Sequence, residues 1–164
     1  EAGYIRGYLP GVRENGAQYT HAAAWGLMAL CRLGLKKEAE KVLRALLPTS
    51  HTKTREDAMR YRGEPYALAA DVYAHPAALG QAGWTWYTGS AAVLYNAVVQ
   101  EFLGIKICGN RLSVLPKVPE NWEVFSFRYI FRKTEYHINM KRGEKTGSIE
   151  LKDDGKTHEL TLGF

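Results

Sequence analysis

The spacing of the apolar residues changes once along this chain, close to Gly104. Before Gly104 the apolar residues recur at the three- and four-residue spacing of helices, and after it they alternate with polar residues, as in strands. These two patterns predict an α+β protein in which the helices precede the strands along the chain. We expect a helical part over residues 1–104 and a β part over residues 105–164.

The helical part begins with a glycine-rich stretch, residues 1–19, which is predicted to be an ordered loop. From Thr20 to Leu33 the chain is apolar on nearly all sides, which indicates a buried helix with Thr20 as its N-cap. Gly34 ends it, and residues 36–47 have one apolar and one charged face. Together they predict an αα-hairpin.

Two further helices are predicted after a polar, turn-like segment at Pro48–Gly63. The first opens at Glu64, with a proline at the next position, and runs to Tyr73. The second covers Ser90–Leu103. Each predicted buried helix follows a loop rich in polar and aromatic residues, so that converging loops would point the helix N-termini at one pocket.

The β part contains several alternating segments. Phe125, Phe127, Tyr129 and Phe131 line one side of a predicted strand, with polar residues opposite. Other predicted strands lie at 111–114, 136–140, 149–151 and through Leu160 and Leu162. Short strands separated by turns favour an antiparallel β domain.

Residues 80–90, GQAGWTWYTGS, contain three glycines and three aromatic residues within eleven positions. Glycines allow close backbone approach, indoles offer flat apolar faces, and a Thr-Gly-Ser run at a helix start presents N–H groups to an anion. A site for a sugar and an anion is our first interpretation. The alternative is that the aromatic residues pack in a core and that a hydroxyl only caps the helix.

The charge pattern argues against a dedicated nucleic-acid surface, because the basic residues behind the net charge of +5 are scattered over the chain. Two cysteines without metal-ligand spacing predict buried thiols and no metal site, as in a cytoplasmic protein. The sequence contains neither a secretory signal nor an apolar run long enough for a bilayer. It also starts without methionine, within a turn-rich segment, so we expect it to be a piece of a larger protein.

Four blocks over residues 3–122 carry a family resemblance: GYIRGYLPGVRENGAQYTHAA, RYRGEPYALAADVY, GWTWYTGSA and RLSVLPKVPENW. In these blocks the chain resembles the C-terminal part of the glycoside hydrolase family that contains cellobiose and chitobiose phosphorylases and the phosphorylase-like domain of cyclic β-1,2-glucan synthetases. The residues of the blocks that contain EPY, AADVY and GWTWYTGSA are most similar to those of the β-1,2-glucan branch. The resemblance implies the last helices of an (α/α)6 barrel followed by a β-sandwich-type domain.

The resemblance also implies inverting phosphorolysis of a β-glucan, with inorganic phosphate as co-substrate, glucose 1-phosphate as product and no cofactor. The family's phosphate-binding residues correspond to His21 in YTH and to Thr88 and Gly89 in YTG. An imidazole N–H, a hydroxyl and a backbone N–H at a helix start all suit an anion. A histidine at the head of an apolar helix is otherwise most often structural.

Three residues are candidates for the sugar side of such a site: Glu14, Trp84 and Trp86. Glu14 accepts a sugar hydroxyl in one interpretation and pairs with Arg13 in the other. For Trp84 and Trp86, stacking on glucose and packing in the barrel are the alternatives, and their spacing favours one residue in each role. Asp71 is expected to be a buried carboxylate bonded to a neighbouring loop.

Departures from the family pattern limit what this chain does alone. A glutamine that touches phosphate in cellobiose phosphorylase corresponds here to Ala70, and the family's general-acid aspartate lies upstream. We therefore expect no catalysis from this chain by itself, and self-association through apolar surface that the rest of the polypeptide normally covers. The intact protein is membrane-attached if it is a glucan synthetase. The alternative is a non-catalytic carbohydrate-binding or structural module that kept the fold.

Overall fold

The computed structural model describes residues 3–145 and 147–164, and the chain divides into two compact units, Glu1–Ala97 and Val98–Phe164. Helices fill the first unit and strands the second, so the mixed α+β class is confirmed. The division falls before residue 104 because the end of the last helical segment belongs with the strands. Phe102 packs edge-on against Trp122, with ring centroids 6.0 Å apart, and its carbonyl accepts a hydrogen bond from the Lys117 N–H.

The first unit contains the α-helices and a two-stranded sheet. Its helices are α1 (Thr20–Arg32), α2 (Lys36–Leu46), α3 (Arg55–Tyr61) and α4 (Thr88–Asn96), and α4 continues as a π-helical segment at Ala97–Phe102. Short 3-10 helices occur at Gly3–Gly7, Pro48–His51 and Pro76–Ala78. Strands β1 (Gln18–Tyr19) and β2 (Asp71–Val72) pair antiparallel.

The predicted αα-hairpin is confirmed as α1 and α2, which pack together around the turn at Gly34. One detail was wrong, because Thr20 is the first residue of α1 and is buried, whereas Tyr19 occupies the N-cap position. The helix is also not buried on all sides, since Trp25 and Leu33 are exposed. In this chain, α1 therefore has an apolar face without a partner among the described residues.

The helix predicted from Glu64 to Tyr73 is wrong. This segment forms turns and then β2, and several of its backbone groups bond to the loop over residues 81–87. The Ala70 N–H donates to the Trp84 carbonyl at 2.6 Å, and the Tyr73 N–H donates to the Gln81 carbonyl at 2.9 Å. Alanine-rich composition favours a helix, but these tertiary backbone bonds override that preference.

A helix that was not predicted, α3, lies within the segment read as polar turns. Thr54 caps its N-terminus: the hydroxyl oxygen accepts from the Asp57 N–H at 3.1 Å, and the hydroxyl donates to the Asp57 carboxylate at 2.7 Å. Asp57 thus resembles the acidic partner in a capping box. The sequence signal was present in Thr54-Arg-Glu-Asp57 and was missed.

The second unit consists of two three-stranded sheets. One has the order β3-β4-β7 and the other β5-β6-β8. The strands are β3 (Ile105–Cys108), β4 (Arg111–Val114), β5 (Val124–Phe131), β6 (Thr134–Lys141), β7 (Ser148–Glu150) and β8 (Thr157–Gly163). Of these strands, β3 was not predicted from the sequence.

Both sheets contribute to one hydrophobic core. Leu112 and Val114 come from β4, and Tyr136, Ile138 and Met140 come from β6. The four alternating aromatic residues of β5 pack against this core, which confirms the one-sided pattern read from the sequence. Two sheets that share a core in this way form a β-sandwich.

The expectation of purely antiparallel pairing is wrong for one pair of strands. β6 and β8 run parallel, with Ile138 opposite Leu160. The reason is β7, which lies between them in sequence but belongs to the other sheet, paired with β4. The chain thus leaves the β5-β6-β8 sheet after β6 and re-enters it in the same direction, as parallel neighbours require.

Among the described residues, no helix combines the length and the apolar character needed to cross a membrane.

Candidate functional site

One short segment, from Leu68 to Ala70, holds the starts of α1 and α4. The Thr20 N–H donates to the Ala70 carbonyl at 2.9 Å, which fixes the first residue of α1. The Tyr87 N–H donates to the Leu68 carbonyl at 3.2 Å, and Ala70 bonds in turn to Trp84. The N-termini of both helices are therefore attached to the same three residues.

Among the described residues, the first turns of both helices lack a side-chain cap. Within the described part of the chain, neither N-cap residue, Tyr19 or Tyr87, caps its helix through the side chain, and neither first turn contains an acidic residue. Apart from the Thr20 N–H, which is bonded to the Ala70 carbonyl, the N–H groups of the two first turns thus keep their positive partial charge without a capping side chain. The two tyrosine hydroxyls lie 3.3 Å apart, which links the starts of the helices by a second route.

The Tyr19 hydroxyl stays protonated at neutral pH. The hydrogen bond to Tyr87, together with burial, raises the pKa of the Tyr19 hydroxyl above its ordinary value. Hydroxyl groups in this state bring donors to the site and no negative charge. Tyr19 itself therefore adds no charge that would repel an anion at the start of α1.

The predicted phosphate ligands lie in the first turns of these helices. His21 is the second residue of α1, and its ring stacks edge-on against Trp25 with centroids 4.9 Å apart. Thr88 and Gly89 are the first two residues of α4, and both are exposed. A Cβ placed on Gly89 would meet no described atom within 4 Å, so the space on the side-chain side of its Cα is open.

Glu14 lies in an ion pair. Its Oε2 is 3.5 Å from the Arg13 Nε, and both side chains are largely shielded from solvent. The Arg13 guanidinium also lies over the rings of Tyr8 and Trp84, at 5.4 and 5.9 Å from their centroids. Arg13 thus brings two predicted sugar residues, Glu14 and Trp84, into one cluster. The alternative interpretation, in which Glu14 pairs with Arg13, describes the contact that is formed here.

Neither Trp84 nor Trp86 lies in the core of this chain. Trp84 and Trp86 are 64% and 63% exposed. Trp84 lies beside the Tyr87 ring, at 5.9 Å between centroids, whereas Trp86 faces Tyr66 at 6.0 Å. Because Tyr87 precedes α4, Trp84 is the tryptophan connected to the helix starts.

Trp86 has an unusual backbone conformation. Its φ is +61°, in the left-handed region that a bulky side chain rarely adopts, at a cost of about 1–3 kcal/mol. The indole N–H donates to Glu64 Oε1 at 3.2 Å. Glu64 therefore holds Trp86 in place, instead of starting a helix as the sequence suggested. Its own backbone N–H, then the Thr85 hydroxyl and the indole, lower the pKa of the Glu64 carboxyl.

Comparison with known proteins shows the family. Residues 1–104 match the model of the glycosyl hydrolase 94 superfamily, catalytic domain. The chain belongs to this family. The resemblance read from the sequence blocks, including that to the β-1,2-glucan branch, is thereby confirmed.

Three relatives in the glycosyl hydrolase 94 family are long proteins of which this chain matches a small part. Cyclic beta-(1,2)-glucan synthase NdvB of Rhizobium meliloti (strain 1021) is 45% identical over 90% of this chain and 5% of its own length. Solabiose phosphorylase of Paenibacillus borealis is 31% identical over 94% of this chain and 20% of its own. N,N'-diacetylchitobiose phosphorylase of Vibrio proteolyticus is 30% identical over 86% of this chain and 17% of its own length. The chain thus spans a fifth or less of these relatives.

Sequence reasoning missed one buried polar group, the Ser90 hydroxyl, and placed another, the Asp71 carboxylate, on the wrong element. Ser90, the third residue of α4, is fully buried, and among the described residues its hydroxyl has no hydrogen-bond partner. Asp71 is 1% exposed and lies in β2, not in the expected helix. Its carboxylate does bond to a neighbouring loop, as expected, but the partner, the Arg13 N–H, was not foreseen.

Proposed function

We propose that this chain is the C-terminal part of an inverting β-glucan phosphorylase or a cyclic β-1,2-glucan synthetase, and that it binds phosphate and part of the sugar. The observation that carries this proposal is the shared attachment of the starts of α1 and α4, with both N-termini uncapped. Family membership makes phosphorolysis the reaction class that fits such an anion site.

In the proposed reaction, inorganic phosphate attacks the anomeric carbon while a carboxylic acid protonates the leaving oxygen. Phosphate takes the place of the water and general base of an inverting hydrolase. His21 donates from its ring, Thr88 from its hydroxyl and Gly89 from its backbone N–H, and the dipole of α4 adds to the attraction. These donors fix the nucleophile in line with the sugar and reduce the repulsion among its charges.

The sugar side is assigned to Glu14, Trp84 and Trp86. The exposed indoles offer flat faces to a glucose ring, and Trp84 adjoins the start of α4 through Tyr87. Glu14 accepts a sugar hydroxyl in this proposal, with Arg13 holding its carboxylate in place. The β-glucan or glucose 1-phosphate therefore binds beside the phosphate.

The remaining parts of the active site come from the rest of the polypeptide. We assign the first unit to the last helices of an (α/α)6 barrel and the second to the C-terminal β domain that follows it. The general-acid aspartate belongs to the upstream helices, so this chain alone is inactive. The exposed apolar side chains of the first unit, such as Trp25 and Leu33, then cause the isolated chain to self-associate.

Alanine at position 70 favours the second candidate function. This is a non-catalytic module that binds carbohydrate or has a structural role. The Ala70 side chain has no donor for phosphate, and it is fully buried. In our proposal the backbone of Ala70 serves the site instead, because its carbonyl holds the start of α1 and its N–H bonds to Trp84 in the loop before α4.

The test uses the full-length protein that contains this chain. We expect release of glucose 1-phosphate from β-1,2-gluco-oligosaccharides only when inorganic phosphate is present, measured by an enzyme-coupled assay. Omission of phosphate is the control. Equal loss of oligosaccharide with and without phosphate would exclude phosphorolysis, and binding without turnover would favour the non-catalytic module.

A further inference from the structure

Asp71 lies where three segments of the first unit meet. It is 1% exposed in β2, where it pairs with Tyr19 of β1. Its Oδ2 accepts a hydrogen bond from the Arg13 N–H at 2.8 Å, and its backbone carbonyl accepts one from the Gly83 N–H at 2.9 Å. One residue thus contacts the segment before α1, the loop that carries Glu14 and the loop that carries Trp84.

We propose that Asp71 is a positioning residue that fixes the Glu14 loop against the Trp84 loop and so sets sugar binding in the active site. This inference rests on the proposed function, since it assigns the sugar side of that same site. Asp71 is not a catalytic residue in this proposal, because its carboxylate is buried and bonds to the backbone of Arg13.

The Glu14 loop needs an anchor because its backbone is strained. Arg13 has a φ of +48°, which non-glycine residues rarely adopt, at a cost of about 1–3 kcal/mol. The bond from its N–H to Asp71 holds this conformation across a separation of 58 residues in sequence. Held in this way, the Arg13 side chain reaches the Trp84 ring and pairs with Glu14.

The Trp84 loop meets the other oxygen of the same carboxylate. A Cβ built on Gly83 would lie 2.1 Å from Asp71 Oδ1 and 2.9 Å from the Tyr73 ring. Only glycine fits there without displacing Asp71. The residue before Trp84 is therefore packed directly against the carboxylate that holds Arg13.

Burial of the Asp71 carboxyl is energetically unfavourable. We therefore assign Asp71 a role in positioning the loops and not in stabilising the fold. Burial raises the pKa of its carboxyl, against the lowering effect of the Arg13 N–H. Among the described residues, Oδ1 has no hydrogen-bond partner. A buried, half-satisfied carboxyl costs stability. What it supplies, and an apolar residue of similar size does not, is an acceptor for the Arg13 N–H.

The experiment compares Asp71→Ala and Asp71→Asn in the full-length protein. Asparagine keeps an acceptor oxygen for the Arg13 N–H, whereas alanine removes it and leaves that N–H unpaired. We expect Asp71→Ala to raise the KM for β-1,2-gluco-oligosaccharide about tenfold, with the KM for phosphate changed less than about twofold. Asp71→Asn should restore the oligosaccharide KM to near the wild-type value.

Gly83→Ala provides a second route to the same loops if Asp71→Ala fails to fold. We expect it to reproduce the rise in oligosaccharide KM, because its Cβ displaces Asp71. Gly7→Ala is the matched control, since a Cβ there would meet no described atom within 4 Å. Its kinetics should equal those of the wild type.

Three outcomes would overturn the role of Asp71: an unchanged oligosaccharide KM in both Asp71→Ala and Gly83→Ala, equal rises in the two KM values, or a loss in Asp71→Asn as large as in Asp71→Ala. Failure of the proposed function is distinguishable from these. If the wild type shows no dependence on phosphate, the oligosaccharide Kd of the same variants, measured by calorimetry, still decides whether Asp71 positions the sugar side.

Discussion

Replacement of His21 by alanine, or of Thr88 by valine, is expected to raise the KM for inorganic phosphate about tenfold or more in the full-length protein. Each change removes one hydrogen-bond donor to a charged ligand. The first turns of α1 and α4 contain no cationic side chain that would replace the lost donor. The KM for oligosaccharide at saturating phosphate should change little. Initial rates measured while the phosphate and oligosaccharide concentrations are varied independently give the two KM values separately.

Thr88→Ser is the matched control for Thr88→Val, because serine keeps the hydroxyl while valine keeps the shape. His21→Asn similarly keeps an N–H donor. We expect both conservative variants to lie closer to the wild type than the disruptive ones. An unchanged phosphate KM in both His21→Ala and Thr88→Val would remove these residues from the phosphate site.

Ile138→Ala is expected to lower the free energy of unfolding of the β unit by about 2–5 kcal/mol. Ile138 is completely buried between the two sheets, in contact with the core formed by β4 and β6. Truncation loses the burial of its apolar side chain and leaves a cavity in a close-packed interior. Hydrogen exchange of the β6 segment, followed by mass spectrometry, measures the effect within the unit concerned.

The matched control is Ile130→Ala, in the neighbouring strand β5, because Ile130 is 56% exposed. We expect a change of about 0.5 kcal/mol or less from this variant. Similar effects from both isoleucines would contradict the assignment of the core between the two sheets.

Local patterns were sufficient to predict part of the fold. The αα-hairpin and the aromatic face of β5 follow from the spacing of apolar residues within single elements, and both are confirmed. The segment Glu64–Tyr73 was different, because its backbone partners come from residues far along the chain. Gln81 and Trp84 lie beyond the segment itself and beyond the four-residue reach of a helical hydrogen bond, so the alanine-rich composition of the segment suggested a helix.

In the candidate site, too, local sequence patterns predicted only part of the structure. The YTH and YTG motifs lead directly to the first turns of α1 and α4, since a motif marks a position in sequence. The Asp71 contact with Arg13 joins residues 58 positions apart, and that of Trp86 with Glu64 joins residues 22 positions apart. Such pairs depend on how loops meet, and the left-handed backbone of Trp86 carries no local signal for a bulky residue.

The most direct test of the central claim, that the starts of α1 and α4 form one phosphate site, is a crystal structure of the full-length protein with inorganic phosphate. We predict a phosphate ion whose oxygens lie about 3 Å from a His21 ring nitrogen, the Thr88 Oγ1 and the Gly89 N. A phosphate ion bound in the active site without contact to any of these three residues would contradict the claim.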